Sequence, residues 1–424
     1  AAPPAPPPTL AAAPATLFPP APGTDIFDAV RTAPARIDLT PGVPDLAAFP
    51  RAAWLRAERT VLRHLAASDF GYGDPRGAPA LRAAVAAWLA RSRGIAADPA
   101  EVIITTGVSQ ALGLLAQALR PHGITRIAVE DPGSLGVRQH LNNWQVDTPP
   151  ITVDDIGLRV DELAASGLPA VMLTPAHQFP TGVVLDGDRR RHLVAWAKAG
   201  GLIIEDDYDA EHRYDRPPVP ALRAMLPDQV CYAGSVSKLL APALRVGWLL
   251  VPARYRDAVV DAKRNADLGN AVLPQLVLAE LMTSGALERH LRLLRRRHVR
   301  RRDAMIASVS SCLPAATVHG AAAGLHLMVT VDGDMVDTEV AAAALERGVK
   351  VQPLSWHCQR PYRPGLVLGY ASNTASDIAE GVAAIGAVLR CRDDGALAHQ
   401  DASRFTVTSW PTNGRRRPSS DAAG

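Results

Sequence analysis

Between residues 102 and 251, short apolar runs alternate with helical patterns, and this alternation constrains the fold more than any other feature. Strand-like runs occur at 102–105, 126–130, 170–174, 202–205, 230–233 and 246–251, with helical patterns between several of them. Strands joined through helices pair in parallel, because a long crossover returns the chain in the same direction. A parallel sheet needs cover on both faces, so its strands are nearly continuous apolar runs. The pattern predicts an α/β protein with a mostly parallel sheet. After Pro252 helices dominate to about Leu313. A smaller α+β region follows, with strand candidates at 325–331, 349–353 and 366–370.

Lys238 lies in Gly234-Ser235-Val236-Ser237-Lys238-Leu239, ahead of Arg245. A lysine among small residues, with a nearby cation to lower its pKa, suits Schiff-base formation with a carbonyl cofactor. Ser235 and Arg245 suit a phosphate on that cofactor. An ordinary surface lysine fits the same residues, so other stretches must decide. Upstream, Leu202-Ile203-Ile204 runs into Glu205-Asp206-Asp207-Tyr208-Asp209. Parallel strands end this way at their carboxyl ends, where open α/β sheets put their ligands. A carboxylate there can pair with a pyridinium nitrogen, and a tyrosine two residues on can reach a phenolic oxygen. A solvated acidic turn is the plain alternative. Further upstream, Ile103-Ile104-Thr105-Thr106 turns through Gly107 into an apolar-periodic helix. The first N–H groups of a helix are unpaired and carry the positive end of its dipole, so they suit a phosphate.

These stretches come in a familiar order: Thr106-Gly107-Val108-Ser109-Gln110-Ala111-Leu112, Glu205-Asp206-Asp207-Tyr208-Asp209, then Ser235-Val236-Ser237-Lys238 with Arg245. With them the chain resembles the pyridoxal-phosphate-dependent aminotransferases of fold type I, class I/II. Tyr72-Gly73-Asp74-Pro75-Arg76-Gly77 with Leu81-Arg82 is similar to the family's Y-x-x-x-x-G-x-x-x-L-R segment. Thr174-Pro175-Ala176-His177-Gln178-Phe179-Pro180-Thr181-Gly182 resembles its N-P-T-G region in a T-P-x-H-Q-F-P-T-G form. That form, with E-D-D-Y-D and Glu130-Asp131-Pro132-Gly133, is similar to the MocR regulators. Those proteins fuse a GntR-type winged helix to an aminotransferase-like domain. The resemblance covers residues 36–391.

The resemblance implies roles residue by residue, with pyridoxal 5'-phosphate as cofactor. Lys238 matches the catalytic lysine that forms the Schiff base. Asp206 matches the partner of the pyridinium nitrogen, with Glu205 and Asp207 one position away. Tyr208 matches the tyrosine that bonds the phenolic oxygen. Val108 and Ser109 would offer backbone N–H groups to the phosphate, with Ser235 and Arg245 completing the cup. Tyr72 matches a tyrosine that reaches the phosphate of the neighbouring subunit in a homodimer. His177 or Gln178 would replace the hydrogen bond of the family asparagine, whose position holds Phe179.

Two further departures concern binding strength and substrate. Ser134 stands where the family carries a ring-stacking aromatic. Val367, in Leu366-Val367-Leu368-Gly369-Tyr370-Ala371, stands where many aminotransferases carry the arginine that binds the substrate carboxylate. Valine cannot make that bidentate pair; Arg363, close in sequence, is a candidate substitute. Two functions follow. One is the effector or sensor domain of a MocR-type regulator, holding the cofactor and answering to an amine or amino acid. The alternative is a free-standing pyridoxal-phosphate-dependent aminotransferase. A cofactor-free structural dimer is opposed by the intact Lys238, Asp206, Tyr208 and Arg245 set.

A chain of 424 residues fits two lobes. Residues 1–35 are expected to form an Ala/Pro-rich extended linker, 36–282 a large cofactor-binding domain, 283–391 a small domain and 392–424 a disordered tail. The formal net charge of +3 is not that of a polycation built for nucleic acid. DNA contact is therefore expected only through a winged-helix domain absent from this chain. The chain does not open on methionine and is expected to be processed or truncated. Cys231, Cys312, Cys358 and Cys391 show no metal or disulfide spacing, which fits the cytoplasm. No apolar run suits a bilayer. The arginines at 292, 295–297 and 300–302 are expected to clothe a solvated helix whose apolar face is Leu287, Leu291, Leu294 and Met305.

Overall fold

The structure, a computed structural model, describes residues 17–214 and 219–404. The Ala/Pro run before Leu17 and the end of the polar tail lie outside the described residues. Strand β1 (Ile37–Asp38) precedes an eight-stranded sheet. Its members are β2 (Ile103–Thr105), β3 (Ala128–Asp131), β4 (Pro150–Asp154), β5 (Gly157–Leu158), β6 (Ala170–Leu173), β7 (Leu202–Asp207), β8 (Val230–Ser235) and β9 (Gly247–Leu250). Their order is β2-β9-β8-β7-β6-β3-β4-β5. From β4 to β8 the strands are parallel, as the alternation predicts. The antiparallel exceptions have a local cause. β8 and β9 are joined by the loop 236–246, too short for a helical crossover, so the chain must reverse.

The central strands alternate between two cores. Leu202 and Ile204 of β7 pack with Ile103 and Leu115 on one face, and Ile203 packs with Leu168 and Leu193 on the other. Helices Val108–Leu119 and Ala253–Asp267 cover the first face, and Gly187–Lys198 the second. The sheet is thus the doubly covered parallel layer expected of fold type I.

A second, antiparallel sheet has the order β10-β11-β14-β13. It is built from β10 (Ala316–His319), β11 (His326–Val331), β13 (Gln352–Pro353) and β14 (Gly365–Gly369), while β12 (Val349–Lys350) pairs with β1. Ile37 and Leu39 share a core with Leu327 and Leu368 of this sheet, so this N-terminal stretch packs with the C-terminal lobe. The leader is also docked from Leu17 onward. Phe18 stacks on Trp356 with ring centroids 5.5 Å apart, and Trp356 Nε1 donates to the Pro19 carbonyl at 2.9 Å. Ile26–Thr32 forms a helix that buries Ile26 and Val30. At the other end, helix Ala375–Arg404 enters the segment expected to be a disordered tail.

The arginine-rich helix Ala286–Cys312 buries Leu287, Leu294 and Met305, three of its four expected apolar positions. Two of its arginines have structural duties. Arg297 and Arg301 clamp the buried Asp45 at 2.7 and 2.9 Å. A deeper pair holds the large sheet. Arg93 Nε meets Asp207 Oδ2 at 2.5 Å, both side chains almost fully buried, and Tyr232 donates to the same carboxylate. Burial works most strongly against the charge on Arg93, but Asp207, Tyr232, Glu205 and Glu211 together outweigh it and raise the pKa. Removing the carboxylate would leave that guanidinium buried and uncompensated. Asp207→Asn is therefore expected to lower stability by about 3 kcal/mol or more. Chemical denaturation checks this; an unchanged midpoint would show the pair to be energetically neutral.

Candidate functional site

A cavity of about 810 Å³ opens at the carboxyl ends of the parallel strands, between the large sheet and β11–β14. It gathers Lys238, Asp206, Tyr208, Val108, Ser109, Ser235 and Arg245. These positions are scattered along the chain from Val108 to Arg245, and the parallel sheet brings them together by stacking its strand ends.

Strand periodicity decides which acid faces the cavity. Successive side chains of a strand point to opposite faces. Asp206 of β7 therefore lines the cavity, while Glu205 and Asp207 point away. Glu205 accepts the backbone N–H groups of Leu222 and Arg223, and Asp207 holds Arg93. Asp206 Oδ1 is buried and has no hydrogen-bond partner among the described residues. Burial, with Asp207 and Asp209 nearby, pushes its carboxyl up to about 7. This is a carboxylate placed to receive a cation.

Lys238 closes the same space from the loop after β8. Its Nζ donates to the Gly42 carbonyl on the N-terminal segment. Burial pulls its pKa down, against the carboxylates of Asp209 and Asp206. A buried amine with a lowered pKa has a larger fraction in its nucleophilic form. Tyr208 is kept protonated, its pKa raised by burial and by Asp209 and Asp206.

The far end of the cavity is suited to an anion. Helix Val108–Leu119 begins there after Gly107, whose φ of +103° favours glycine. A Cβ on Gly107 would lie 3.5 Å from an Arg245 guanidinium nitrogen, so the guanidinium sits against the helix start. Free N–H groups, a positive dipole end and a guanidinium thus meet at one point.

Two expected site residues lie elsewhere. Tyr72 is 96% exposed and does not line the cavity of its own chain. His177 lies behind Tyr208, not on the cavity wall; its Nδ1 is 3.1 Å from the Tyr208 hydroxyl. Gln178 is tied to backbone, donating to the Pro132 and Phe179 carbonyls. The family asparagine's place on the wall is taken by Phe179 itself. Its ring lies 4.9 Å from those of His326 and His357, which also line the cavity. Burial depresses both imidazoles to about 3, so they are neutral.

Val367 is fully buried on β14 with Met328 and Leu354, and Phe179 packs against them. Arg363 is exposed and does not line the cavity, so it does not replace the missing carboxylate partner. Ser134 lines the wall and accepts the N–H of Val137 at the start of helix Leu135–Asn143. Missed from the sequence were Gly42, His326, Gln352 and His357, and the leader residues Phe27 and Val30 on the wall. The only local signal was the Ile26/Val30 spacing of an amphipathic turn.

Comparison with known proteins agrees with this geometry. The family model for aminotransferase class I and II matches residues 35–385. The probable rhizopine catabolism regulatory protein MocR of Rhizobium meliloti is 31% identical over 372 residues, covering 87% of this chain and 75% of the regulator. The HTH-type pyridoxine biosynthesis transcriptional regulator PdxR of Corynebacterium glutamicum is 34% identical over 349 residues, covering 80% and 73%. Among solved structures, the kynurenine aminotransferase of Pyrococcus horikoshii superposes with a TM-score of 0.78 at 26% identity, covering 87% of this chain and 94% of the enzyme. The α-aminoadipate aminotransferase LysN of Thermus thermophilus gives 0.77 at 25%, covering 89% and 96%. The family match, with the regulators that align over most of this chain, places it in the class I and II aminotransferase family, as the aminotransferase-like domain of a MocR-type regulator of the GntR family.

Proposed function

We propose that this chain binds pyridoxal 5'-phosphate through Lys238 and serves as the cofactor- and amine-sensing domain of its regulator. One observation carries the reading: Asp206, whose buried Oδ1 has no hydrogen-bond partner among the described residues, shares a cavity with a lysine whose pKa is lowered by burial. The residues fit the group. Lys238 offers the amine, and Asp206 suits a pyridinium nitrogen. Tyr208 offers a phenol proton. Val108, Ser109, Ser235 and Arg245 suit a phosphate. Bound pyridoxal phosphate supplies an aldehyde conjugated to an electron-withdrawing ring. The chain's residues do the rest. Asp206 holds a proton on the ring nitrogen, Arg245 neutralises phosphate charge, and Phe179 with its apolar neighbours keeps water from one wall. The Pyrococcus enzyme was solved with PMP and the Thermus enzyme with N-(5'-phosphopyridoxyl)-L-leucine, which supports this choice of ligand.

An absorbance titration with pyridoxal phosphate tests the reading. A saturable visible band is expected; its absence at any cofactor concentration would sink the proposal. Asp206→Asn is expected to weaken binding and shift the band. Asp207→Asn should act on stability instead, because its carboxylate faces Arg93. A larger effect on the band at Asp207 would mean that the neighbouring acid is the cofactor's partner.

The active form in this reading is a cytoplasmic homodimer in which Tyr72 reaches the partner's cavity. The exposure of Tyr72 beside the exposed Phe70 supports it. Sedimentation in the presence of cofactor is expected to give a dimer, and a monomer would overturn it. DNA contact falls to a winged-helix domain of the full regulator. The aminotransferase alternative is favoured by the superposition over 94% of an enzyme; turnover separates the two.

A further inference from the structure

Behind Tyr208 lies a buried pair that the cofactor reading does not use. His177 and Asp209 are each 1% exposed. His177 Nδ1 faces two oxygens at once, Asp209 Oδ2 at 2.9 Å and the Tyr208 hydroxyl at 3.1 Å. Its Nε2 has no partner among the described residues.

The proton on this imidazole has one place to go. An ionised carboxylate only accepts hydrogen bonds. Asp209 therefore requires an N–H at Nδ1, and Nε2 is left bare. With Nδ1 protonated, no lone pair remains there to accept the phenol proton of Tyr208. The phenol oxygen can share that N–H only as a second acceptor, and its own O–H is left to the cavity or to the Asp209 carboxylate beside it. Without Asp209 the imidazole could carry its proton on Nε2, and Nδ1 would then draw the phenol proton away from the cavity.

The ring is also held in place. A Cβ on Gly324, whose φ is +84°, would lie 2.0 Å from His177 Cε1 and 2.9 Å from Asp209 Oδ2. A Cβ on Gly182 would lie 3.1 Å from His177 Nε2. Two glycines thus let the backbone close on the ring, leaving it little room to turn.

We propose that Asp209 and His177 are positioning residues that keep the Tyr208 hydroxyl proton off the imidazole and available to a ligand oxygen in the cavity. Asp209 sets the tautomer, His177 transmits it, and Tyr208 delivers a donor rather than an acceptor to the ligand's oxygen. This rests on the cofactor reading above. It also explains why a histidine precedes Gln178 and an aspartate follows Tyr208, at positions that do not line the cavity.

The test is a double-mutant cycle read by pyridoxal phosphate titration and by the pH at which the visible band titrates. Asp206, Asp209 and Glu130 are the charged groups around the phenol, with His177 at its hydroxyl, and Lys238 shares the cavity and feels both Asp206 and Asp209. Asp209→Asn and Tyr208→Phe should each weaken cofactor binding about tenfold, the worth of one hydrogen bond to a charged or strongly polar partner. Both should move the band's titration in the same direction. In the Tyr208→Phe background, Asp209→Asn should lose most of its effect on affinity and keep only its direct influence on the Lys238 amine, because the donor it orients is gone. A full, independent effect of Asp209→Asn in that background overturns the proposal, as does an unchanged band and affinity in the single variant. Should Asp209→Asn fail to fold, His177→Phe takes its place in the same cycle with the same two outcomes. If the unaltered protein shows no visible band, the cofactor reading itself fails, which is a distinct result.

Discussion

Borohydride reduction after incubation with pyridoxal phosphate is expected to fix the cofactor on the unaltered chain and to leave Lys238→Ala unlabelled. The chain contains four lysines: Lys198, Lys238, Lys263 and Lys350. Lys238 alone lines the cavity. Lys263 is held by Asp267 at 2.6 Å, and Lys350 lies 3.1 Å from Asp38, so both amines are engaged as cations. Lys198 is exposed at the end of its helix and does not line the cavity. The loss of labelling should therefore be complete. The substitution also leaves the Gly42 carbonyl without its donor, which costs about 1–3 kcal/mol. Thermal denaturation of the variant separates that cost from misfolding. Labelling that persists in Lys238→Ala, or peptide mapping that finds the label on another lysine, defeats the assignment.

The second large expectation is slow turnover. With common amino donors and 2-oxoacids, steady-state transamination should lie about two orders of magnitude below that of an enzyme with the carboxylate arginine. The cause is visible on β14. Val367 occupies that position inside an apolar cluster with Met328 and Leu354, and Arg363 does not reach the cavity. The neutral His326 and His357 offer no positive charge in its place. Ser134 removes a further ring contact worth about 1 kcal/mol. Amine capture at Lys238 needs neither group, so spectral responses to amines should survive where turnover does not. Sustained turnover of any ordinary α-amino acid at enzyme-like rates would replace the sensor reading with the aminotransferase one.

Much of the site was legible because its signals are local. The β-branched run into Gly107 marks a strand turning into a helix, whatever surrounds it. The run 202–204 ending in acids marks the carboxyl end of a strand. Lys238 and Arg245 sit on one short loop. Even the choice of Asp206 over its neighbours follows from strand periodicity once the ends of β7 are known.

Other features were out of reach because they depend on contacts between distant segments. The leader reads as an extended Pro-rich linker, yet Phe18 finds Trp356 and buries against it. Its docking depends on an apolar surface that the leader's own composition does not reveal. His177 reads as a cofactor ligand, but the space in front of it is filled by Tyr208, and its partners are Asp209 and two glycines. The antiparallel turn of β9 follows from the shortness of one loop, which is a local fact, but its place between β8 and β2 is not.

The sequence by itself determined the parallel sheet and the chemistry carried at its strand ends, because hydrophobic periodicity and short motifs act over a few residues. The tertiary structure alone decided which of those groups share the cavity and that the Lys238 amine meets the Gly42 carbonyl 196 residues away. Those outcomes depend on packing and desolvation, which exist only after distant segments of the chain have closed on one another.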